Sequence, residues 1–198
     1  MYKLFCDRFA NLDSPRYLRM FMTFFFAAIF TGATKLKSHA VRYPDGRLAF
    51  ESAVLLTDTY ATFNGVRDRL AKYYFDLELP NDVGEPLGKV VVKQRAGGDE
   101  IKFKPDKTKV YLGTHNDKQG ELSSTTLYNE ETGEITVEFD RPIPPGSILT
   151  IGLRPKRNPD YAGVYLFGVT AFPPGEQSLG LYLGAGRLHF YQGDSLHY

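Results

Sequence analysis

The chain has no tryptophan, one cysteine and four histidines in 198 residues, and each shortage excludes a class of chemistry. A lone Cys6 forms no intramolecular disulfide and no thiolate metal cluster, so the fold rests on its core. The histidines, at 39, 115, 189 and 197, have neither the i, i+4 spacing nor the cysteine partners that make a zinc signature. There is no Gly-x-Ser-x-Gly elbow of the kind that presents a serine nucleophile. Nor does a glycine-rich loop open a helix, since Gly97-Gly98 and Gly184-Ala-Gly186 fall between strand-like segments, where glycines make turns. No catalytic residues, no metal ligands and no cofactor follow from the sequence.

Charge of one sign is also scarce. Lys and Arg number 24 against 23 Asp and Glu, but six of the cations and only two of the acids lie in the first 40 residues, leaving the remainder near −3. A mildly acidic domain lacks the clustered cations that release counterions from nucleic acid, so nucleic acid is not an expected partner. Long apolar runs are limited to one. Arg16 and Arg19 precede Met20–Ala33, apolar for about 14 residues, which is short of the roughly 20 needed to span a bilayer and matches the apolar core of a secretory signal. Ser38-His-Ala40 supplies small residues for cleavage before Val41. The expected organisation is a signal peptide, residues 1–40, and a single domain, residues 41–198. The mature domain would be extracytoplasmic (periplasm, thylakoid lumen or cell surface), with no stable membrane span.

What is abundant is aromatic residues and turns. Fifteen Phe and 13 Tyr make aromatic packing the expected bulk of the core. From Tyr43 onward, short apolar runs are broken by Gly, Pro, Asn and Asp, the punctuation of an all-β fold. Tyr73–Leu79 alternates, with Tyr73, Phe75, Leu77 and Leu79 on one face and Tyr74, Asp76 and Glu78 on the other, which predicts a half-buried strand. Lys89–Gln94 and Glu134–Asp140 are predicted strands, the latter entered through a hairpin loop at Asn129–Gly133. Ser147–Leu153 and Gly163–Ala171 are apolar on both faces, as in central strands. Pro144-Pro-Gly146 and Pro173-Pro-Gly175 are predicted turns. Leu181–Leu183, Gly184-Ala-Gly186 and Arg187–Tyr191 predict a closing strand or hairpin, with His189 sharing a face with Arg187 and Tyr191 if the last segment is a strand. Phe63, Val66, Leu70 and Tyr73 or Tyr74 have helical spacing and predict a short helix over Tyr60–Lys72, despite Gly65. The fold class is all-β, an immunoglobulin-like β-sandwich with at most one short helix.

The most distinctive polar segment is Arg154-Pro-Lys-Arg-Asn-Pro159, between two central strands. A Pro-flanked loop can hold an arginine fork rigidly toward a carboxylate or phosphate, making Arg154, Lys156, Arg157 and Asn158 the candidate binding residues. The alternative for the same loop is internal pairing with acids of the domain, with Asn158-Pro159 setting a turn.

Phe139–Gly146, Leu153–Pro159, Gly163–Pro173, Gly184–Tyr191 and Phe75–Pro80 with Gly84–Leu87 together resemble an exported cyanobacterial family of domains of unknown function. The resemblance covers nearly all of the mature chain and implies an extracytoplasmic place but no activity. The chain is also similar to the immunoglobulin-like copper-resistance domains in its Pro-Pro-Gly turn, central strand and Gly-initiated last strand. Those domains have a histidine where this chain has Asn158-Pro-Asp160, so that likeness implies a sandwich without copper. The expected function is a non-catalytic domain that binds a cell-envelope protein or glycan or serves a structural role. Two rivals remain: an envelope polysaccharide or peptide hydrolase using acids such as Asp140 and Asp160, and a periplasmic metal binder using His115 and His189.

Overall fold

A computed structural model describes residues 41, 42 and 47–192; the predicted signal peptide lies outside them, apart from its expected junction at Val41. Among the described residues the chain forms twelve strands: β1 (Val41–Arg42), β2 (Leu48–Ala49), β3 (Leu55–Ala61), β4 (Tyr73–Glu78), β5 (Leu87–Ala96), β6 (Lys109–Gly113), β7 (Lys118–Leu122), β8 (Ser124–Asn129), β9 (Glu134–Ile143), β10 (Ile148–Leu153), β11 (Gly163–Phe172) and β12 (Leu181–Phe190). Two antiparallel five-stranded sheets result. The first has the order β3-β4-β10-β6-β7 and the second β12-β11-β5-β9-β8, while β1 and β2 pair separately. The chain changes sheet after β4, β5, β7, β9 and β10, so the central pairings β4-β10, β10-β6, β11-β5 and β5-β9 join strands that are not consecutive, while β3-β4, β6-β7, β8-β9 and β11-β12 join consecutive ones. This is an all-β, immunoglobulin-like β-sandwich, with one turn of 3-10 helix at Pro105–Lys107.

The inner faces follow the alternation. Tyr73, Phe75 and Leu77 on β4 stand opposite Leu153, Ile151 and Leu149 on β10, and all six are buried. From the second sheet, Val90 and Val92, Ile135 and Val137, and Tyr165, Phe167 and Val169 close onto them. The predicted aromatic bulk is present as a cluster in which Tyr73 meets Phe103, Phe167 and Phe190 with ring centroids 5.5–5.9 Å apart. Edge-to-face and tilted geometries of this kind add about 0.5–1.5 kcal/mol per pair beyond the buried area. Near the β3 edge, β12 comes close because Gly186 has no side chain: a Cβ there would stand 2.4 Å from Thr59 Oγ1 and 3.1 Å from the Phe75 ring.

Two sequence expectations are corrected. Residues 62–72 form no helix. Gly65 instead bridges to Tyr191 in parallel, Arg67 takes a left-handed φ of 61°, and Asp68 accepts hydrogen bonds from the backbone N–H groups of Leu70 and Ala71 at 2.6 and 3.1 Å. Phe63 and Leu70, two of the positions that suggested a helix, are exposed, and Tyr73 and Tyr74 belong to β4, so tertiary pairing overrides helical spacing. The second concerns β4, which is buried on both faces rather than half-buried. Asp76 is 2% exposed and Tyr74 8%, because the loop after β6 folds over this sheet's outer face and hydrogen-bonds to Asp76 through His115.

Two core tyrosines give the fold a pH dependence. Burial, then the Tyr165, Asp99 and Asp68 charges, push the Tyr73 hydroxyl well above the ordinary tyrosine range. Burial and then a hydrogen bond to Asp99 push Tyr165 up to about 12. The unfolded chain ionises both near 10, so the stability they contribute is complete below pH 10; the Tyr165 share is lost as pH rises through about 12, and the Tyr73 share at still higher pH. In an alkaline titration followed by phenolate absorbance and circular dichroism, Tyr73 and Tyr165 are expected to ionise only as the sheets unfold, and Tyr165→Phe should reduce the amplitude of that coupled phase.

Candidate binding cleft

Pro155 and Phe103 form an isolated antiparallel bridge. Two backbone bonds flank it, Lys104 N–H to Arg154 O at 2.8 Å and Lys156 N–H to Lys102 O at 2.7 Å. In this short ladder Phe103 and Pro155 turn inward while Lys102, Lys104 and Lys156 are exposed. The period-2 pattern of a strand thus converts Ile-Lys-Phe-Lys into a cationic rim over an apolar anchor.

Each predicted binding residue has a definite place. The Arg154 fork is committed to backbone, donating from Nη1 to Leu70 O and from Nη2 to Arg69 O, both at 2.9 Å. This holds the Arg69 segment against the loop. Asn158 is fully buried; its Oδ1 accepts from the Tyr73 hydroxyl at 2.8 Å, and its Nδ2 donates to Phe63 O at 3.0 Å and Gly65 O at 2.7 Å. Lys156 and Arg157 line a cleft of about 520 Å³ together with Arg69, Lys102 and Lys104. Arg157 pairs with Asp160 at 2.6 Å and Lys156 with Glu130 at 3.2 Å, contacts exposed enough to exchange cheaply for a ligand.

The cleft's electrostatics are lopsided. Among the described residues, no side-chain partner pairs with the charged groups of Arg69, Lys102 or Lys104. Of the two acids in the lining, Asp99 is already occupied: its Oδ1 accepts from Tyr165 Oη at 2.8 Å and its Oδ2 from Asp160 N at 2.9 Å. With Glu100, two acids stand against five cations in the lining, a positive excess to which an anionic group is the complementary occupant.

Sequence reasoning named the 154–158 loop but passed over Arg69, Lys102 and Lys104. The Ile101-Lys-Phe-Lys104 alternation was the available signal, and pairing with residues 154–156 is what gives it meaning. Of the acids considered for hydrolysis, Asp160 pairs with Arg67 and Arg157, and Asp140 on β9 accepts from Ser123 Oγ. His189 on β12 of the second sheet stacks on Tyr191, whereas His115 lies over the outer face of the first with Asp76, so the two histidines form no joint site.

The family model for DUF2808, a protein family of unknown function, matches residues 47–190. The chain belongs to this family. Its match begins just before β2 and ends with β12, taking in both sheets and the cleft. No curated protein sequence matches the chain. Among solved structures, the collagen-binding domain of a Staphylococcus aureus adhesin is similar at 12% identity and a TM-score of 0.35, covering 68% of this chain and 97% of that one. ACE19, the collagen-binding subdomain of Enterococcus faecalis surface protein ACE, is similar at 5% identity and a TM-score of 0.43, covering 66% and 95%. The C-terminal domain of the Streptococcus agalactiae AgI/II polypeptide BspA reaches 20% identity and a TM-score of 0.41, covering 69% and 48%. These likenesses concern strand architecture alone.

The geometry separates the scaffold of the cleft from its contact surface. Asn158→Ala leaves a buried hydroxyl and two carbonyls without their partner and is expected to cost roughly 2–4 kcal/mol, read as a lower urea midpoint. Lys102→Ala and Lys104→Ala, at exposed positions, are expected to leave the unfolding free energy within about 0.5 kcal/mol of the parent.

Proposed function

We propose that this DUF2808 chain is an exported, non-catalytic binding domain whose cleft takes an anionic group of a cell-envelope glycan or protein. The observation that carries this reading is the positive excess of the cleft lining, in which Arg69, Lys102 and Lys104 have no side-chain ion pair among the described residues and stand beside the rigid 154–158 loop. An exposed cation gains little from an isolated contact. Several held at fixed spacing around one concavity give an anion multiple charge-assisted hydrogen bonds at a small ordering cost. Arg157 and Lys156 join when their weak surface pairs with Asp160 and Glu130 open. The signal-like run Met20–Ala33 and the cleavage pattern ending at Ala40 support an extracytoplasmic place, and the resemblance to an exported cyanobacterial family agrees with it.

The test is affinity capture from cell-envelope extract with the tagged chain and, in parallel, its Lys102→Ala/Lys104→Ala variant. Retention of an acidic glycan or an acidic protein by the parent is expected, weakening as salt is raised because the contacts are exposed. The double variant should lose about tenfold in affinity, which is roughly 1.4 kcal/mol. Equal capture by parent and variant, or capture indifferent to salt, would falsify the assignment to this cleft.

A further inference from the structure

A second polar constellation lies on the outer face of the first sheet, independent of the cleft. On a face that alternation assigns to solvent, Asp76 is 2% and Thr150 0% exposed. They are direct cross-strand neighbours, β4 to β10, so their side chains leave the sheet together. The loop after β6 covers them. His115 N–H donates to Asp76 Oδ1 and Oδ2 at 3.0 and 3.1 Å, and His115 Nδ1 lies 2.7 Å from Oδ2. The imidazole stacks on Tyr60 with centroids 4.8 Å apart and an interplanar angle of 15°. Lys118 Nζ donates to His115 O at 2.5 Å and sits 4.3 Å over the Tyr74 ring.

Three features of this corner are unexplained by a loop clamp alone. First, the β3–β4 register shifts between Leu56 and Asp58, and this bulge, a device that re-aims side chains, brings Asp58 opposite Asp76. Like charges directly opposed across a strand pair are destabilising, more so when one is desolvated. Second, Asp58 Oδ2 is 3.8 Å from His115 Nδ1, and one donor atom from each of Asp58, Asp76 and His115 falls within 4.8 Å of the others. Third, the buried Thr150 hydroxyl, on the same face beside Asp76, has no hydrogen-bond partner.

We infer that Asp58, Asp76 and His115 bind one divalent transition-metal ion, with Zn2+ as the ion best suited to one imidazole and two carboxylates. Metal–ligand distances near 2.0–2.2 Å place the donors of a tetrahedral site roughly 3–4 Å apart, close to the spacings observed here. The ion takes the place of the proton between His115 Nδ1 and Asp76, and its double charge offsets the two carboxylates. Thr150 then has a role, donating its hydroxyl to Asp76 beneath the metal and orienting that ligand. Asp58, with its side chain 58% exposed, supplies the entry path.

The test is calorimetric titration of the chelator-treated full chain with ZnCl2, paired with the visible absorption of Co2+ as a spectroscopic probe. One Zn2+ per chain is expected, with a four-coordinate Co2+ band that Zn2+ displaces. Asp58→Asn and Thr150→Val should each weaken Zn2+ by about tenfold or more while leaving the metal-free melting temperature within a few degrees of the parent, since neither residue takes part in the His115–Asp76 clamp. His115→Gln should abolish binding. No saturable uptake, or uptake unchanged in Asp58→Asn and His115→Gln, overturns the inference.

Discussion

The structure around the cleft depends on one buried side chain, the Asn158 amide. A fully buried amide must place its carbonyl and both N–H groups or incur a desolvation cost comparable to a lost hydrogen bond for each. Here it accepts from a core tyrosine and donates to two carbonyls of the 62–67 segment. Three parts of the chain are thereby fixed relative to one another: β4 through Tyr73, the irregular connection from β3 to β4, and the loop between β10 and β11. Arg154 repeats the device at the other end of that loop, donating to the carbonyls of Arg69 and Leu70. The loop exposes Lys156 and Arg157 because its neighbours on either side, Pro155 and Asn158, are buried.

This division between anchors and exposed cations is how the fold produces a binding surface. An anion meets charges whose backbone is already ordered, so little conformational entropy is lost on contact. Asp99 contributes from within: accepting from the Tyr165 hydroxyl and the Asp160 amide, it ties the segment after β5 to the loop. The same economy is visible across the first sheet, where the His115 loop turns an ordinary solvent face into a covered polar corner.

Strand content was readable from the sequence wherever burial imposed a period. Tyr73–Leu79, Lys89–Gln94, Glu134–Asp140, Ser147–Leu153 and Gly163–Ala171 all lie on β4, β5, β9, β10 and β11 or within a residue of them, because alternation or two-sided apolarity is enforced by contact with the core. β3, β6, β7 and β8 were not distinguished. Leu55–Ala61 and Lys118–Leu122 are edge strands with mostly exposed or half-exposed residues, so little in them is constrained by packing. The false helix at 60–72 arose from apolar spacing whose residues serve local turns instead. At the cleft, Asn158 was legible as a residue with a special role, but its partners were not, since a side-chain amide satisfied by Phe63, Gly65 and Tyr73 leaves no local pattern. Asp58 and Asp76 likewise meet only through a bulge and a strand pairing.

The central claim, that an anion occupies the cleft between the 99–104 and 154–160 segments, is tested most directly by amide chemical-shift mapping of the labelled domain during titration with an acidic oligosaccharide. The account predicts saturable shifts confined to those two segments and to the neighbourhood of Arg69, diminishing with added salt. Shifts centred on another surface, or none at low salt with a folded domain, would contradict it.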